Sequence, residues 1–586
     1  MKQSPNVVFI LTDDQGYGDL ACHGNKKIKT PHIDQLHSES IRFTDFHVGT
    51  TCAPTRAGLL TGHYCNSTGV WHTIGGRSLL REDEWTIAQA FKESGYRTGH
   101  FGKWHLGDAQ PFRPHERGFE KSVYHGGGGI GNTPDSWGND YFDDTYFVNG
   151  EPVSFKGYCT DVFFREGMQF IEEHKDEPFF CYIATNAPHG PLNVENHYTE
   201  LYLDEAPNES RARFYGMVTN IDENVGLLRD KLEALGLSEN TIVVFMTDNG
   251  SCGGVDLDKD DHVDEKDYNH NSGMRGKKGS PYEGGHRVPF ILHCPLECIK
   301  LDRDIKELTS YVDFMPTILD LCQIKPPSDR VFHGLSLKDR IDEKEQPELQ
   351  NRIVVSDTQR QAHPIKWRLS SVMKENWRLV NGNELYDLSV DPAQKNNIID
   401  QKPDLLPSLK AAYEEWWDLV SEQYHRDTPF ALGETEETVI LTTHDIRNEA
   451  SDAVWNQTQV RSGESVNGYW AVDIRRAGRY RIELRRWDRS TGYNLTQGIE
   501  GDDSGWRKDC IRDCHKRSYE DGVALEIKWA RLHLCNESHY TDVNANAAEV
   551  SFVLDCPVGE TQLSAAFYAN QKAFAPYYIY VTLLNE

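Results

Sequence analysis

No apolar run in the chain approaches the ~20 residues needed to cross a bilayer as a helix. The first such stretch, Val7-Val8-Phe9-Ile10-Leu11, is too short and too close to Met1 for the core of an export signal. A membrane partner is therefore not expected. As written the chain reads as cytoplasmic, with a periplasmic or secreted location the alternative if a leader has been removed. Positive charge is also scarce: 62 Lys and Arg stand against 91 Asp and Glu, a formal net charge of -29. Long-range steering of a polyanion would be repulsive, which argues against nucleic acid as a partner and requires any anionic substrate to be held locally. The 13 cysteines in 586 residues lack paired CxxC spacing. They are too sparse for a disulfide scaffold and unsuited to a structural zinc site. Cys510 and Cys514 could pair with Cys535 or Cys556, free thiols being the alternative. Internal repeats and low-complexity tracts are absent. What remains is a length that favours two to four domains, with the 38% apolar and 26% charged composition of a globular protein.

The most informative stretch is Cys52-Ala53-Pro54-Thr55-Arg56. Pro54 suits the first turn of a helix, which puts Cys52 at the positive end of the helix dipole and Arg56 one turn further in. Such an end favours an anion. Three readings of Cys52 are open on these residues: a low-pKa thiolate, a metal ligand, or the precursor of a modified residue.

Four buried strands are expected, and each stops at a polar cluster. Asn6 to Leu11 ends at Asp13-Asp14, Arg97 to Phe101 closes in Gly102-Lys103-Trp104-His105, Pro178 to Thr185 ends at Pro188-His189, and Thr241 to Met246 ends at Asp248-Asn249. In an extended segment Lys103 and His105 share a side. Ligands of open α/β sheets bind beyond the carboxyl ends of the strands, so a single shared site accounts for all four clusters. Asp13, Asp14, Asp248 and Asn249 supply only oxygen donors, which suits calcium or magnesium. With Cys52, Arg56, Lys103 and Lys278 they make a small positive pocket suited to a tetrahedral oxyanion ester, and His105 and His189 are candidate base and acid. The run His125-Gly126-Gly127-Gly128-Gly129-Ile130-Gly131 lacks a preceding strand and a following GK[ST], so it reads as a loop lining the site rather than a phosphate cradle. Helices are expected over Thr86–Ser94, Phe163–Glu173, Arg211–Leu235, Asp313–Leu321 and Leu405–Tyr424, and Asp256 to Asp267 reads as a solvated acidic insertion.

These motifs resemble a type I sulfatase of the alkaline phosphatase superfamily. Cys52-Ala53-Pro54-Thr55-Arg56 matches the CxPxR signature, Gly102 to Gly107 the second signature, and the Asp13-Asp14, Pro188-His189, Asp248-Asn249-Gly250 and Lys278 to Gly285 segments follow in the family's order. The resemblance implies an alkaline-phosphatase-like α/β fold, a large mixed central sheet flanked by helices. That catalytic unit would span 1–430, with a smaller subdomain over about 340–430. Residues 434–586 alternate apolar and charged positions, as in Gly478 to Arg485, and read as a jelly-roll-like β-sandwich. Its aromatics Tyr469, Trp470, Trp487 and Trp506 suit core packing better than a sugar platform.

The resemblance further implies that Cys52 is oxidised to Cα-formylglycine by a maturation enzyme. One divalent ion, calcium or magnesium, would be held by Asp13, Asp14, Asp248, Asn249 and position 52. The hydrated aldehyde would attack the sulfur of a sulfate ester, His189 or Lys278 would serve the leaving oxygen, and His105 would help to expel sulfate from the diol. A saccharide sulfate is the favoured substrate, with His125, Trp71, His72, Arg77 and Arg275 as candidate contacts. Oligomeric state is left open. Two other readings stand beside this one: a phosphodiesterase or phosphonate monoester hydrolase of the same superfamily, and a sulfated-glycan-binding protein without turnover.

Overall fold

A computed structural model describes residues 4–253, 271–296, 299–435, 438–501, 520–569 and 572–584. The acidic segment 256–267, together with Cys510, Cys514 and Trp506, lies outside the described residues. Asn6–Thr12 is a continuous apolar run buried on both faces, and it forms the centre of a ten-stranded sheet. Phe179–Ala184 and Thr241–Thr247 flank it, and both run parallel to it. Arg97–Lys103 follows beyond Phe179–Ala184, and Lys121–His125 beyond that, again parallel. An antiparallel strand follows on each side, Phe290–His293 next to Thr241–Thr247 and Thr145–Val148 next to Lys121–His125. The four strands expected to end at polar clusters are thus immediate neighbours with their carboxyl ends on one edge.

Alternate residues of the central strand feed two cores. Val7, Phe9 and Leu11 face one layer with the helices Cys52–Thr61, Ile87–Glu93 and Phe314–Leu321, and Val8 and Ile10 face the other with Pro31–Ser38, Cys159–Glu173 and Glu209–Ala234. Thr86 caps the helix Ile87–Glu93 through a full capping box with Gln89. The glycine-rich run departs from expectation, because the strand Lys121–His125 does precede it. That strand is too short to stand out by pattern, and pairing with Arg97–Lys103 creates it.

A four-stranded antiparallel sheet, Ile353–Asp357, Ser370–Lys374, Trp377–Val380 and Glu384–Asp387, packs Val372, Leu379 and Leu385 on Tyr413 and Trp416 of the helix Leu406–Ser421. Beyond it, two sheets lie face to face. One carries Trp470–Ile474, Gly559–Ala569 and Ile527–Leu534, the other Thr438–Thr442, Tyr578–Leu584, Gly478–Arg485 and Val550–Cys556. Trp470 and Trp487 are fully buried between them, as core packing requires. Cys535 and Cys556 are free thiols. Leu79, Ala109 and Phe112 from the first unit join this core, so the two units share an apolar seam. Among the described residues no helix is long and apolar enough to cross a membrane.

Candidate active site

Cys52 opens the helix Cys52–Thr61, with extended Thr51 before it and Gly62 in the left-handed conformation closing it. The helix is buried throughout, so the positive end of its dipole acts in a medium that screens it poorly. Ligand atoms of Cys52, Asp13 and Asp248 lie within 4.8 Å of one another.

Around them three carboxylates meet three cations. Lys103 Nζ donates to Asp13 Oδ2 at 2.6 Å, Arg56 donates through Nε and Nη2 to Asp248 Oδ2 at 3.2 and 2.8 Å, and Lys278 Nζ contacts Asp14 Oδ1 at 2.6 Å. Asp13, Asp248, Arg56 and Lys103 have no exposed surface. Asp14 adopts φ 65°, an unusual backbone for a non-glycine residue. Its N–H is bound by Asp248 Oδ1, and its carboxylate accepts from Asn249 Nδ2 at 2.8 Å and from the Cys252 thiol at 2.8 Å. Burial opposes ionisation at Asp14, yet Lys278, His189 and Lys103 outweigh it and hold the carboxyl well below its usual range. At Asp248 burial and the neighbouring Asp13 prevail over Arg56, and the carboxyl is pushed up to about 7.

Two oxygens here lack a hydrogen bond: Asp13 Oδ1 and Asn249 Oδ1 are both buried and accept none, the Arg56 guanidinium standing 4.0 Å from the first. Orphaned hard oxygens beside a carboxylate held out of its ordinary range fit a divalent cation, which would relieve both costs.

The histidines stand at different depths. His105 is not in the extended conformation assumed above, since the strand ends at Lys103 and His105 has φ 60°. Alternation therefore does not set its direction. Its Nε2–H donates to Thr73 O at 2.8 Å, and its Nδ1 is buried without a partner. Burial, then Lys103, lowers its pKa far below the usual imidazole value. The glycine-rich run packs directly on it, and a Cβ at Gly128 would lie 2.4 Å from His105 Cε1. His189 retains 26% exposure of its side chain, with Nε2 3.6 Å from Asp14 Oδ2 and Nδ1 bound to Gly190 O. Burial and the nearby lysines lower it to about 4, against the pull of Asp14. His125 ends its strand opposite Lys103, bonds Gly126 O through Nδ1, and leaves Nε2 buried and unpartnered.

The other proposed substrate contacts divide. Arg77 spends its guanidinium on Ala362 O and Gly75 O, and Trp71 Nε1 donates to Gln361 O. Arg275 donates to Gln394 O and lies 3.7 Å over the Tyr282 ring. These side chains brace loops. His72 Nδ1 accepts from the N–H of Thr73 at 2.6 Å, which leaves its proton on Nε2. Sequence reasoning passed over Cys252, which follows the Asp248-Asn249 cluster closely enough to have been noticed. It also passed over His444, which has no motif around it: the ring of His444 stands 6.1 Å from that of His105.

The chain belongs to the sulfatase family, enzymes that hydrolyse sulfuric esters: residues 5–324 match the family's Sulfatase model. Residues 277–414 match the model described as N-sulphoglucosamine sulphohydrolase, C-terminal. Similar proteins include arylsulfatase J of Mus musculus, 28% identical over 428 residues, covering 67% of this chain and 67% of that protein. N-acetylgalactosamine-6-O-sulfatase of Bacteroides thetaiotaomicron is 27% identical, covering 70% of this chain and 93% of its own. Among solved structures, that of Ps i-CgsB in complex with k-i-k-neocarrahexaose aligns with TM-score 0.63 and 26% identity, covering 74% of this chain and 96% of that one.

Proposed function

We propose that this protein removes sulfate from a sulfated saccharide, using a formylglycine made from Cys52 and one divalent cation, calcium or magnesium. The observation that carries this reading is the convergence of Cys52 with Asp13 and Asp248 at a buried helix N-terminus, beside two orphaned oxygens and three cationic side chains. Saccharide sulfates are favoured because relatives of this chain are named for sulfated amino sugars and one related structure holds a carrahexaose.

A cation bound by Asp13, Asp14, Asp248 and Asn249 would supply charge stabilisation and acidify an oxygen at position 52. The chain's own residues do the rest. Lys103 and Lys278 place positive charge where a sulfate's oxygens would otherwise meet carboxylates. Arg56 fixes Asp248 by two hydrogen bonds to one oxygen and also donates to Lys103 O at 3.1 Å, so it orients the site. His105 Nδ1, unprotonated and unpartnered, is a base for a proton from position 52. His189 is the most accessible of the three site histidines and sits beside Asp14 and Lys278, which suits the pair to the leaving alcohol's oxygen.

The test is sulfate release from regiospecifically sulfated mono- and oligosaccharides, an aryl sulfate and an aryl phosphodiester. Mass spectrometry of the peptide containing position 52 accompanies it, where conversion removes about 18 Da. Sulfate release that follows the converted fraction supports the proposal, and preference for the phosphodiester overturns it.

A further inference from the structure

The turn Thr443–Asp445 follows the strand Thr438–Thr442 of the C-terminal unit, and it is buried completely against the catalytic unit. His444 O accepts from Gly75 N at 2.8 Å, and Arg447 Nη2 donates to Gly76 O at 2.7 Å. The packing at Gly76 is close enough that a Cβ there would lie 2.8 Å from Asp445 O. A second contact holds the glycine-rich loop: Thr133 N donates to Trp455 O at 2.8 Å and Gln457 N to Gly131 O at 3.0 Å. The C-terminal unit thus grips both loops that carry His72 and the glycines packed on His105.

His444 itself is built for more than contact. Its Nδ1–H donates to Asp445 Oδ1 at 3.0 Å, which fixes the ring, while Nε2 is buried without a partner on a side chain 2% exposed. An unpaired polar atom at that depth is costly unless something arrives to meet it. Asp108, whose Oδ1 accepts from Gly127 N at 2.9 Å, and Asp445 both lie with His444 in one cluster of ligand atoms within 4.8 Å. Burial pulls His444 down, yet Asp445 and then Asp108 outweigh it and leave the imidazole above its usual range, which favours a proton on Nε2. The neighbouring His72 carries its proton on Nε2.

We propose that the C-terminal unit completes the substrate pocket, with His444 as a specificity-determining residue whose Nε2, the ring nitrogen left free by Asp445, meets a hydroxyl or anionic oxygen of the leaving-group saccharide. This rests on the sulfatase reading above. The acceptor is a ring hydroxyl or an anionic substituent of the sugar. Asp445 orients the imidazole, and an aryl leaving group offers it no comparable acceptor.

The experiment uses the full-length chain with His444→Ala and His444→Gln, and compares kcat/KM on sulfated saccharides with and without a second anionic group against an aryl sulfate. Wild-type sulfate release tests the hydrolase reading by itself, so the two failures are distinguishable. H444A is expected to lose about 10- to 100-fold more on its best saccharide than on the aryl sulfate, mainly in KM, with partial recovery in H444Q, whose amide retains a donor. A greater loss on the doubly anionic sugar identifies an anionic acceptor, and an equal loss on both sugars a hydroxyl. Equal losses on saccharide and aryl sulfate, or none on either, would overturn the proposal. Should H444A fail to fold, the imidazole resonances of 15N-histidine-labelled wild type carry the test: saccharide should shift the His444 Nε2 signal, and no shift at saturation overturns it.

Discussion

Replacing Gly128 by alanine puts a methyl group where His105 already stands. The added Cβ would lie 2.4 Å from His105 Cε1, 2.5 Å from Nε2 and 3.0 Å from Nδ1, against about 3.4 Å for ordinary contact. Something must therefore move by about 1 Å. His105 cannot swing aside as a flexible chain end would, because its Nε2–H is held by Thr73 O and its surface is 3% exposed. The loop cannot easily back away, because Gly127 N is bound to Asp108 and Gly128 N to Asn132 Oδ1. Overpacking of this kind costs about 1–3 kcal/mol of stability. Displacing a catalytic group by about 1 Å costs roughly 10²-fold in rate. G128A is thus expected to lower kcat by about 100-fold with KM little changed, while shifting the thermal midpoint only modestly. The neighbouring G129A is the control, since its Cβ would meet Asn132 Nδ2 at 3.7 Å and His189 at 3.8 Å, both comfortable distances. The assay is steady-state sulfate release beside thermal unfolding. Activity in G128A within about 3-fold of wild type would refute the claim that the loop fixes His105, and a large loss in G129A would point to general loop damage.

Chelation should lower stability as well as activity. An ion at 100 to 1,000 times its dissociation constant contributes about 3–4 kcal/mol, so EDTA should depress the unfolding midpoint and calcium should restore it; an unchanged midpoint would count against a cation on Asp13, Asp14, Asp248 and Asn249. Arg378 is 1% exposed and bonds Glu283 at 2.7 Å and Asp45 at 3.0 Å. Arg378→Met removes the nearest cation from buried Glu283 and half-buried Asp45 but leaves Arg287 3.3 Å from the one and 3.8 Å from the other, so it should cost about 1–3 kcal/mol in urea unfolding, and a loss under about 0.5 kcal/mol would show that the network relaxes freely. At His63, burial lowers the imidazole pKa, but the Glu84 carboxylate at 2.7 Å outweighs it and leaves the folded value raised. Its stabilisation is full below the unfolded value and lost as pH rises through the folded one, so His63→Ala should cost up to about 1 kcal/mol near pH 5.5 and less near pH 9, and the opposite trend would refute the pairing.

Much of the site was legible because its parts are local. A buried apolar strand that ends in Asp13-Asp14 announces itself without any knowledge of the fold, and so do Thr241–Thr247 before Asp248-Asn249 and Phe179–Ala184 before His189. Pro54 in the first turn of Cys52–Thr61 likewise set the helix start from neighbouring residues alone. Local pattern misjudged His105, whose left-handed backbone breaks the alternation that would have set it beside Lys103. It also missed the strand before the glycine loop, which exists only through its parallel neighbour.

By itself, then, the sequence determined which chemistry is present: oxygen donors for a hard cation, a cysteine at a helix start, two lysines and an arginine to hold an anion. Strand periodicity and helix caps act over a few residues, and that reach suffices to place each group at the end of an element. Tertiary structure alone decided the pairing. Lys103 was assigned to Asp13, Lys278 to Asp14 and Arg56 to Asp248, and two oxygens were left without hydrogen bonds. It also brought His444 beside His105 from the far unit. No local rule reaches that contact, because it depends on how two cores share Leu79, Ala109 and Phe112 along their seam.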